Sequence, residues 1–354
     1  MHLLRLRPLI ILLSALLPGA AVFAQSDSPQ PLPLLPPDHD TSCYESFSQS
    51  IVGRFYFSRK FTSLEMEKPS GPRLRYQPNT RLNMGVGVTY HGITVNLAYG
   101  FPFLNPENGK GKTKYLDLQT HFYARKWTVD LLGQFYKGYY LDAKGVAAPS
   151  AGSYYVRPDI GIDMVGAAAY RLSNWDRFSY RAPVFQDERQ LKSGGSFLVG
   201  GEAYYGVVKA DSSVVPYALK DQYSQSGMRS LRFFKIGPGA GYAYTFIIAS
   251  NFFCMASLQA NLGVDFTHQT GGATGKGDRV SLSPGYIYRF VAGYDKGLFN
   301  VNFAIVGNQL NIKSGVSEDK IFITTGVYRL TFSYRFSPGP GLRRRLRPID
   351  DLFD

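Results

Sequence analysis

The stretch from Thr113 to Tyr139 reads as a complete β-hairpin, because apolar and polar residues alternate on both sides of a two-residue turn at Arg125-Lys126. Counted outward from that turn, one face pairs Ala124 with Trp127, Phe122 with Val129, Thr120 with Leu131, Leu118 with Gly133, and Leu116 with Phe135. The other face pairs Tyr123 with Thr128, His121 with Asp130, Gln119 with Leu132, and Asp117 with Gln134. The first face is mostly apolar and the second is mostly polar.

Each strand of this hairpin has about ten residues, which is roughly the length that crosses a bilayer at a tilt. In a membrane barrel one face of such a strand meets lipid and the other lines a polar lumen. The chain is therefore predicted to be all-β and to form a transmembrane antiparallel β-barrel.

The composition agrees with this fold class. The chain has 25 Tyr, 25 Phe and 37 Gly against 2 Cys, which suits the aromatic girdles and glycine-rich strands of a barrel. The formal net charge of +13 raises the question of nucleic acid, but Lys and Arg are spread along loops and polar strand faces, apart from one cluster at Arg343-Arg344-Arg345 and Arg347. Spread charge favours anionic lipid headgroups or ordinary solvation, so no nucleic-acid partner is expected.

The N-terminus has the parts of a signal peptide. A basic start, MHLLRLRP, leads into an apolar run from Leu9 to Val22, and small residues precede a cleavage site after Ala24. We predict a signal peptide over residues 1–24 and a Pro-rich periplasmic linker over residues 25–50. No later run reaches the roughly 18 apolar residues of a membrane helix. A secreted chain with many amphipathic strands is expected in the bacterial outer membrane.

Amphipathic strands recur from residue 51 to residue 336. We predict a barrel of about twelve strands, with about ten or fourteen as alternatives, because both termini are expected on the periplasmic side and the count must be even. Short turns and longer loops alternate along the chain only if residues 173–194 add no net strand. That segment is therefore predicted to be an unusual connection on the periplasmic side, and residues 337–354 a basic periplasmic tail.

Charged residues predicted to face the lumen carry both signs, which resembles an internal salt-bridge network more than a single-sign selectivity ring. They are Asp117, Asp130, Asp163, Glu202, Asp265, Arg171, Lys235, Arg289, Arg329 and Arg335. The candidate lumen network consists of His121, Asp130, Asp117 and Gln134 on the polar face of the first hairpin. Cys254 is predicted on the lipid face, and its pairing with Cys43 is left open.

The connection at 173–194 concentrates aromatic and charged side chains in a short span. They are Trp175, Arg177, Tyr180, Arg181, Gln186, Glu188, Arg189 and Lys192. The functional interpretation is a plug folded into the lumen, or a platform for a periplasmic or envelope protein partner. The alternative is an ordinary loop or a pair of short strands.

Several long motifs carry a resemblance to a known family. They are RFSYRAPVFQDERQLKSGGSFLVGG, LRYQPNTRLNMGVGVTY, LAYGFPFLN and GKTKYLDLQTHFYARKWTVDLLGQFYKGYYL. With these motifs, roughly residues 45 to 336 resemble a family of Bacteroides-group outer-membrane β-barrel proteins that bears only a domain-of-unknown-function label, number 4421. The resemblance implies a barrel in the outer membrane and implies no catalytic residues.

An acyl hydrolase or transferase of the outer membrane needs a Ser beside an oriented His. No His-x-Ser occurs in the chain, and no Cys or His pair has metal-ligand spacing. We therefore predict no enzyme, no cofactor and no metal site, but a non-enzymatic binding or structural component of the envelope. A passive pore for small solutes and a lipid acyl hydrolase or transferase are the alternatives. The expected partners are outer-membrane lipid, lipopolysaccharide and the barrel-assembly machinery.

Overall fold

The computed structural model describes residues 39–67, 73–271, 276–317 and 320–350. Its strands are β1 (Tyr44–Ser46), β2 (Ile51–Met66), β3 (Leu74–Gln77), β4 (Asn83–Tyr90), β5 (Ile93–Tyr99), β6 (Lys114–Tyr123), β7 (Trp127–Leu141), β8 (Val156–Leu172), β9 (Glu188–Gln190), β10 (Gly194–Lys209), β11 (Met228–Ile248), β12 (Phe252–Gly271), β13 (Lys276–Asp295), β14 (Phe299–Lys313) and β15 (Lys320–Phe336). Its α-helices are α1 (Ala182–Phe185) and α2 (Pro340–Asp350), and short 3-10 turns lie at Pro102–Leu104 and Tyr217–Gln222. The predicted signal peptide lies outside the described residues.

The long strands form a closed antiparallel barrel, which confirms the predicted fold class. Ten strands make the ring, in the order β2, β3, β7, β8 and then β10 to β15. The ring closes because β15 pairs with β2 along its length, from Phe336 opposite Ile51 to Ile321 opposite Met66. This pairing removes the free edges of β15 and β2, which could not be hydrogen-bonded in hydrocarbon. Strands β4, β5 and β6 extend the wall outside this ring.

The alternation of the sequence predicts tight hairpins around Arg125-Lys126 and around His91-Gly92, and both are found with the expected register. Strands β6 and β7 pair His121 with Asp130 and Asp117 with Gln134, and every other predicted pair from Tyr123 to Leu116 is also present. Strands β4 and β5 pair Val88 with Val95. Tight turns hold these registers because they leave the strands no freedom to slip.

The alternation of the sequence predicts one continuous strand over about residues 76 to 91, but the structure interrupts it, which explains why about twelve strands were expected and ten close the ring. Residues 78–82 separate β3 from β4. Pro78 has no N–H to donate to a ladder, and the Thr80 hydroxyl donates to the Lys60 carbonyl at 2.6 Å. Because β3 pairs with β7 whereas β4 pairs with β5, the chain divides at this break into the closed ring and the added strands.

One predicted strand orientation is wrong. Asp163 and Arg171 of β8 face outward, whereas the inward face of β8 carries the buried residues Ile160, Ile162, Met164 and Tyr170. Pairing with β7 decides this orientation, since Asp163 lies opposite Phe135 and Arg171 opposite Trp127, which both face outward. Apolar residues occupy both faces of β8, so its own alternation was ambiguous.

The outer face of the wall is apolar, as a lipid-facing surface must be. On β12 it carries Cys254, Ala256, Leu258, Ala260, Leu262, Val264 and Phe266. This run spans about 41 Å along the strand at about 3.4 Å per residue, or about 29 Å of height at a tilt of about 45°. That height matches the hydrocarbon core of a bilayer, about 30 Å.

The barrel has two different ends. We call the end with the tight turns at His91-Gly92 and Arg125-Lys126 the short-turn end, and the opposite end the long-loop end. At the long-loop end the inward side chains form an apolar cluster that includes Leu64, Tyr139 and Phe233, and residues 210–227 fold over it. The Tyr76 hydroxyl donates to the carbonyl of Val214 in that loop at 2.7 Å.

The segments before and after the barrel also contain regular structure. Strand β1 lies within residues 25–50, which were predicted as a linker, and α2 lies within the predicted basic tail as part of a separate unit. Among the helices described, none is long and apolar enough to cross a membrane. Cys43 and Cys254 are both free thiols.

Candidate functional site: the plug at the short-turn end

The predicted connection between β8 and β10 folds into the barrel together with the segment that precedes β2. Strand β9 pairs with β1, with Tyr44 opposite Gln190 and Ser46 opposite Glu188. We define residues 39–50 and 173–193 together as the plug. It joins two parts of the chain that are far apart in sequence into one folded unit at the short-turn end.

A single helical turn, α1, shapes the centre of the plug. The Ser179 hydroxyl accepts the N–H of Ala182 at 2.9 Å and donates to the carboxylate of Glu188. Helix α1 ends at Phe185, and the next residue, Gln186, has a left-handed backbone with φ of 57°. Its amide donates to the Val184 carbonyl at 2.7 Å, so the strained residue is held by its own side chain.

Arg335 of β15 fastens this turn to the wall. Its guanidinium donates to the Gln186 carbonyl at 2.6 Å, to the Glu188 carbonyl at 3.3 Å and to both carboxylate oxygens of Asp295 at 2.7 Å. It also stacks on Phe47, with 4.5 Å to the ring centre. Arg335 is 1% exposed, so it is a buried cation satisfied jointly by the wall and both segments of the plug.

Two more wall arginines hold the plug. Arg54 of β2 donates to the Phe185 carbonyl at 2.7 Å. Arg289 of β13 donates to the Tyr180 hydroxyl at 2.9 Å and also binds the Asp130 carboxylate. Tyr180 therefore reaches the inner wall, where its hydroxyl lies 3.0 Å from the hydroxyl of Ser257.

Buried charge inside the plug is nearly balanced. Arg181 forms an ion pair with Asp187. Burial raises the pKa of Glu188, although the nearby Arg181 charge opposes the rise. The protonation of Glu188 is therefore coupled to the folding of the plug.

The remaining residues of the predicted segment lie at its rim. The amine of Lys126 sits 4.5 Å above the Trp175 ring, and Arg189 donates to the Asn251 side chain at 3.1 Å. Lys192 donates to Ser42 at 3.1 Å. Arg177 is 64% exposed and only 3.6 Å from Asp40. These contacts lie at the edge of the plug, and the side chains that make them do not fill the lumen.

The four residues of the candidate lumen network form two groups rather than one. In the first, His121 Nδ1 lies 2.6 Å from Asp130 Oδ1, and Asp130 also binds Arg289. In the second, Asp117 accepts from Gln134 at 3.2 Å and from Lys60 at 3.0 Å. Each carboxylate is thus satisfied by its own cation.

A third polar group in the middle of the lumen was not assembled from the sequence, although its charged members were expected to face inward. Lys235 Nζ lies 3.0 Å from Asp265, with 2% and 0% of the two side chains exposed. Glu202 accepts from Tyr204 at 3.0 Å and from Asn261 at 2.7 Å. The cross-strand position of Lys235 opposite Asp265 is the signal that could have revealed this pair.

The chemistry open to these groups is limited. A cavity of about 40 Å³ lies beside His121, Asp130 and Asn308, which is room for a few water molecules. No serine lines that cavity. Within the described part of the chain, no cluster of His, Cys, Asp or Glu could hold a metal ion. The arrangement is suited to holding the plug and filling the lumen.

Solved structures with a similar fold are outer-membrane proteins of low identity. The outer-membrane protease OmpT of Escherichia coli has a TM-score of 0.37 and 8% identity, covering 82% of this chain and 98% of that one. The outer-membrane-expressed OmpT of Vibrio cholerae has a TM-score of 0.28 and 10% identity, covering 81% and 98%. The toluene transporter TodX of P. putida has a TM-score of 0.24 and 7% identity, covering 82% and 91%. Similarities this weak do not bear on activity.

No curated protein matches the sequence. A family model, described as a domain of unknown function (DUF4421), matches residues 38–336. The match spans the plug and the whole barrel, and it confirms the family resemblance, while the Bacteroides origin stays a prediction. The chain belongs to the DUF4421 family.

Proposed function

We propose that the protein is a closed outer-membrane barrel that acts as a non-enzymatic binding or structural component of the bacterial envelope. The observation that carries this proposal is the plug, which three wall arginines hold in the lumen through Gln186, Phe185 and Tyr180. The apolar outer face and its height of about 29 Å support a membrane location. In that location the short-turn end faces the periplasm.

Closure of the lumen argues against a passive pore. The plug fills the short-turn end, the Lys235–Asp265 pair lies buried in the middle, and residues 210–227 cover the long-loop end. A conducting channel needs a continuous hydrated path. Among the described residues, the cavity beside His121 and Asp130 has only about 40 Å³.

Recording from the purified protein in planar bilayers tests closure. We expect no reproducible conductance steps. The matched variants are Asn261→Trp, which narrows the lumen, and Ala260→Trp, which adds the same ring to the outer face. Steps that Asn261→Trp abolishes and Ala260→Trp preserves would overturn the proposal in favour of a pore.

Lipid acyl chemistry is the second activity to test. His121 is paired with Asp130, but no serine is beside it in the cavity, so we expect no acyl release from labelled phospholipid. His268, which lies 2.5 Å from Asp278 at the long-loop end, offers a matched control pair. Release that is lost in His121→Ala and kept in His268→Ala would establish an enzyme.

Outer-membrane lipid, lipopolysaccharide and the barrel-assembly machinery are the partners that this location implies, and the plug offers a periplasmic surface to an envelope protein. Fractionation of cells tests the location. We expect the mature chain in the outer-membrane fraction, extracted only by detergent. Recovery in the soluble periplasmic fraction would contradict the assignment.

A further inference from the structure

We propose that the gap in the wall between β5 and β6 takes one extended, amphipathic segment of a partner polypeptide as an additional strand. The inference rests on the proposed membrane location of the barrel. It assigns the partner to a site in the wall of the barrel, because the lumen is closed.

The two strands flanking the gap are each paired on one side only. Strand β5 pairs with β4, and β6 pairs with β7. Across the described residues, no ladder joins β5 to β6. A strand directs half of its backbone N–H and C=O groups to each side, so two rows of these groups face the gap. Such rows are costly in hydrocarbon and serve as templates for a further strand.

The gap is closed at one end by a hydrogen-bonded junction. The Asn79 amide donates to the Gly111 carbonyl at 2.7 Å, and the Asn79 N–H donates to the Thr113 hydroxyl at 2.8 Å. Thr113 in turn donates to the Gly138 carbonyl at 2.7 Å. This junction joins the connection between β3 and β4 to the loop that precedes β6 and to β7, beyond the ends of the two facing edges.

The plug lies behind the opposite end of the gap. The ring of Tyr123, at the end of β6, is 5.1 Å from the ring of Phe185. The N–H of His91, next to β5, donates to the Ser48 carbonyl at 3.2 Å. A segment in the gap would therefore contact the plug as well as the wall.

The two faces of the gap differ in polarity. On the outer side, Leu97 is 58% and Leu118 is 56% exposed. On the inner side, Asn96 faces the lumen yet remains exposed. The Lys60 amine donates there to the Asp117 carboxylate at 3.0 Å and to the Asp117 backbone carbonyl of β6 at 3.2 Å, so an inserted strand would have to displace or leave out that one acceptor. A strand with alternating apolar and polar residues matches both faces at once. The lengths of β5 and β6 set its size at seven to ten residues.

Other occupants fit less well. An acyl chain has no donors or acceptors for two backbone edges. The segment of this chain before the barrel reads QSDSPQPLPLLPPD, and its prolines cannot donate to a ladder. Direct pairing of β5 with β6, and pairing with a second copy, remain as distinguishable outcomes of the test.

The experiment uses full-length protein in nanodiscs, with Cys43→Ser and Cys254→Ser as background. Leu97→Cys is combined in turn with Leu118→Cys, Thr120→Cys and Phe122→Cys. Strands on either side of one inserted strand lie about 9.6 Å apart, beyond the roughly 7 Å Cα limit of a disulfide. We therefore expect no disulfide on oxidation, but cross-linking by a bis-maleimide about 10 Å long.

The probe is a ten-residue peptide with the sequence of β7 from Trp127 to Tyr136, which β6 already accepts on its other edge. At about ten times its dissociation constant, it should slow the bis-maleimide reaction about tenfold. A peptide of the same composition without alternation is the control, and barrel already cross-linked should not bind the probe.

Four results would overturn the proposal. An intramolecular disulfide would show that β5 and β6 pair directly, and an intermolecular one that a second copy fills the gap. Slower cross-linking in peptide-free nanodiscs than in detergent micelles would assign the gap to lipid, and equal protection by both peptides would remove the strand requirement. Because detergent extraction is measured separately, a wrong membrane location is distinguishable from a wrong occupant.

Discussion

Replacing Arg335 with Gln is expected to release the plug from the wall. The guanidinium donates to Gln186 and Glu188 of the plug and to Asp295 of β13. A glutamine lacks the charge and most of the donors, so Asp295 is left buried with less compensation. Breaking a buried ion pair on one side costs about 3–5 kcal/mol. Arg189, 3.8 Å from Asp295, compensates in part, so we expect about 3 kcal/mol.

The assay combines global and local unfolding. Urea unfolding in detergent micelles gives the free energy of unfolding, and trypsin cleavage at Arg189 reports release of the plug. Because barrel pairing between β15 and β2 does not depend on the Arg335 side chain, we expect the plug to become cleavable at urea concentrations where the barrel is still folded.

Two further variants test whether the effect comes from the Arg335–Asp295 pair. Adding Asp295→Asn to Arg335→Gln removes the uncompensated carboxylate, so the double variant should be less destabilised than the sum of the single changes. Arg177→Gln, at an exposed rim position, should leave both measurements unchanged. If Arg335→Gln unfolds and is cleaved like the wild type, Arg335 does not hold the plug.

Three further changes test other parts of the lumen with the same unfolding measurement. Tyr180→Phe removes a hydroxyl bound by Arg289 and should cost about 1–3 kcal/mol; no loss would mean that the hydroxyl only fills space. Glu188 has a raised pKa in the folded protein, so its stabilising contribution is present below the unfolded pKa of about 4.3 and is lost as pH rises through the folded value. As the pH rises above about 4.3, Glu188→Gln should therefore lose less stability than the wild type, and parallel curves of unfolding free energy against pH would contradict this. Lys235→Met should cost about 3–5 kcal/mol, because it leaves the buried Asp265 without its cation. Lys209, which pairs with Asp163, has a side chain that is 59% exposed, so Lys209→Met should cost at most about 1 kcal/mol. Equal costs for the two variants would refute the argument that burial makes the Lys235–Asp265 pair matter more.

Local features of the chain were predictable where a short turn connects two alternating strands. Both the β6–β7 and β4–β5 pairings follow from residues at most about twenty positions apart. The segment at 173–194 was also recognisable, since its aromatic and charged residues broke the barrel pattern. Its partners were not, because Arg335 lies 149 residues from Gln186.

The orientation of β8 and the break at Pro78 needed the folded barrel. Strand β8 has apolar residues on both faces, so only its pairing with β7 placed Asp163 outside. The break mattered because β3 and β4 acquire different neighbours, which leaves β5 and β6 beside a gap. The pairing of β3 with β7 joins residues more than sixty positions apart, such as Tyr76 with Leu141, so it is not encoded next to the break.

The sequence by itself determined that this chain forms long amphipathic strands and which of them form tight hairpins, because strand alternation and turn chemistry act between near neighbours. Only the tertiary structure decided how the ring closes, which charges meet inside it and how the plug is held. Those outcomes depend on residues more than a hundred positions apart, such as Arg335 with Gln186. Closing the ring brings such side chains together, and in a buried lumen each charge must then find a partner.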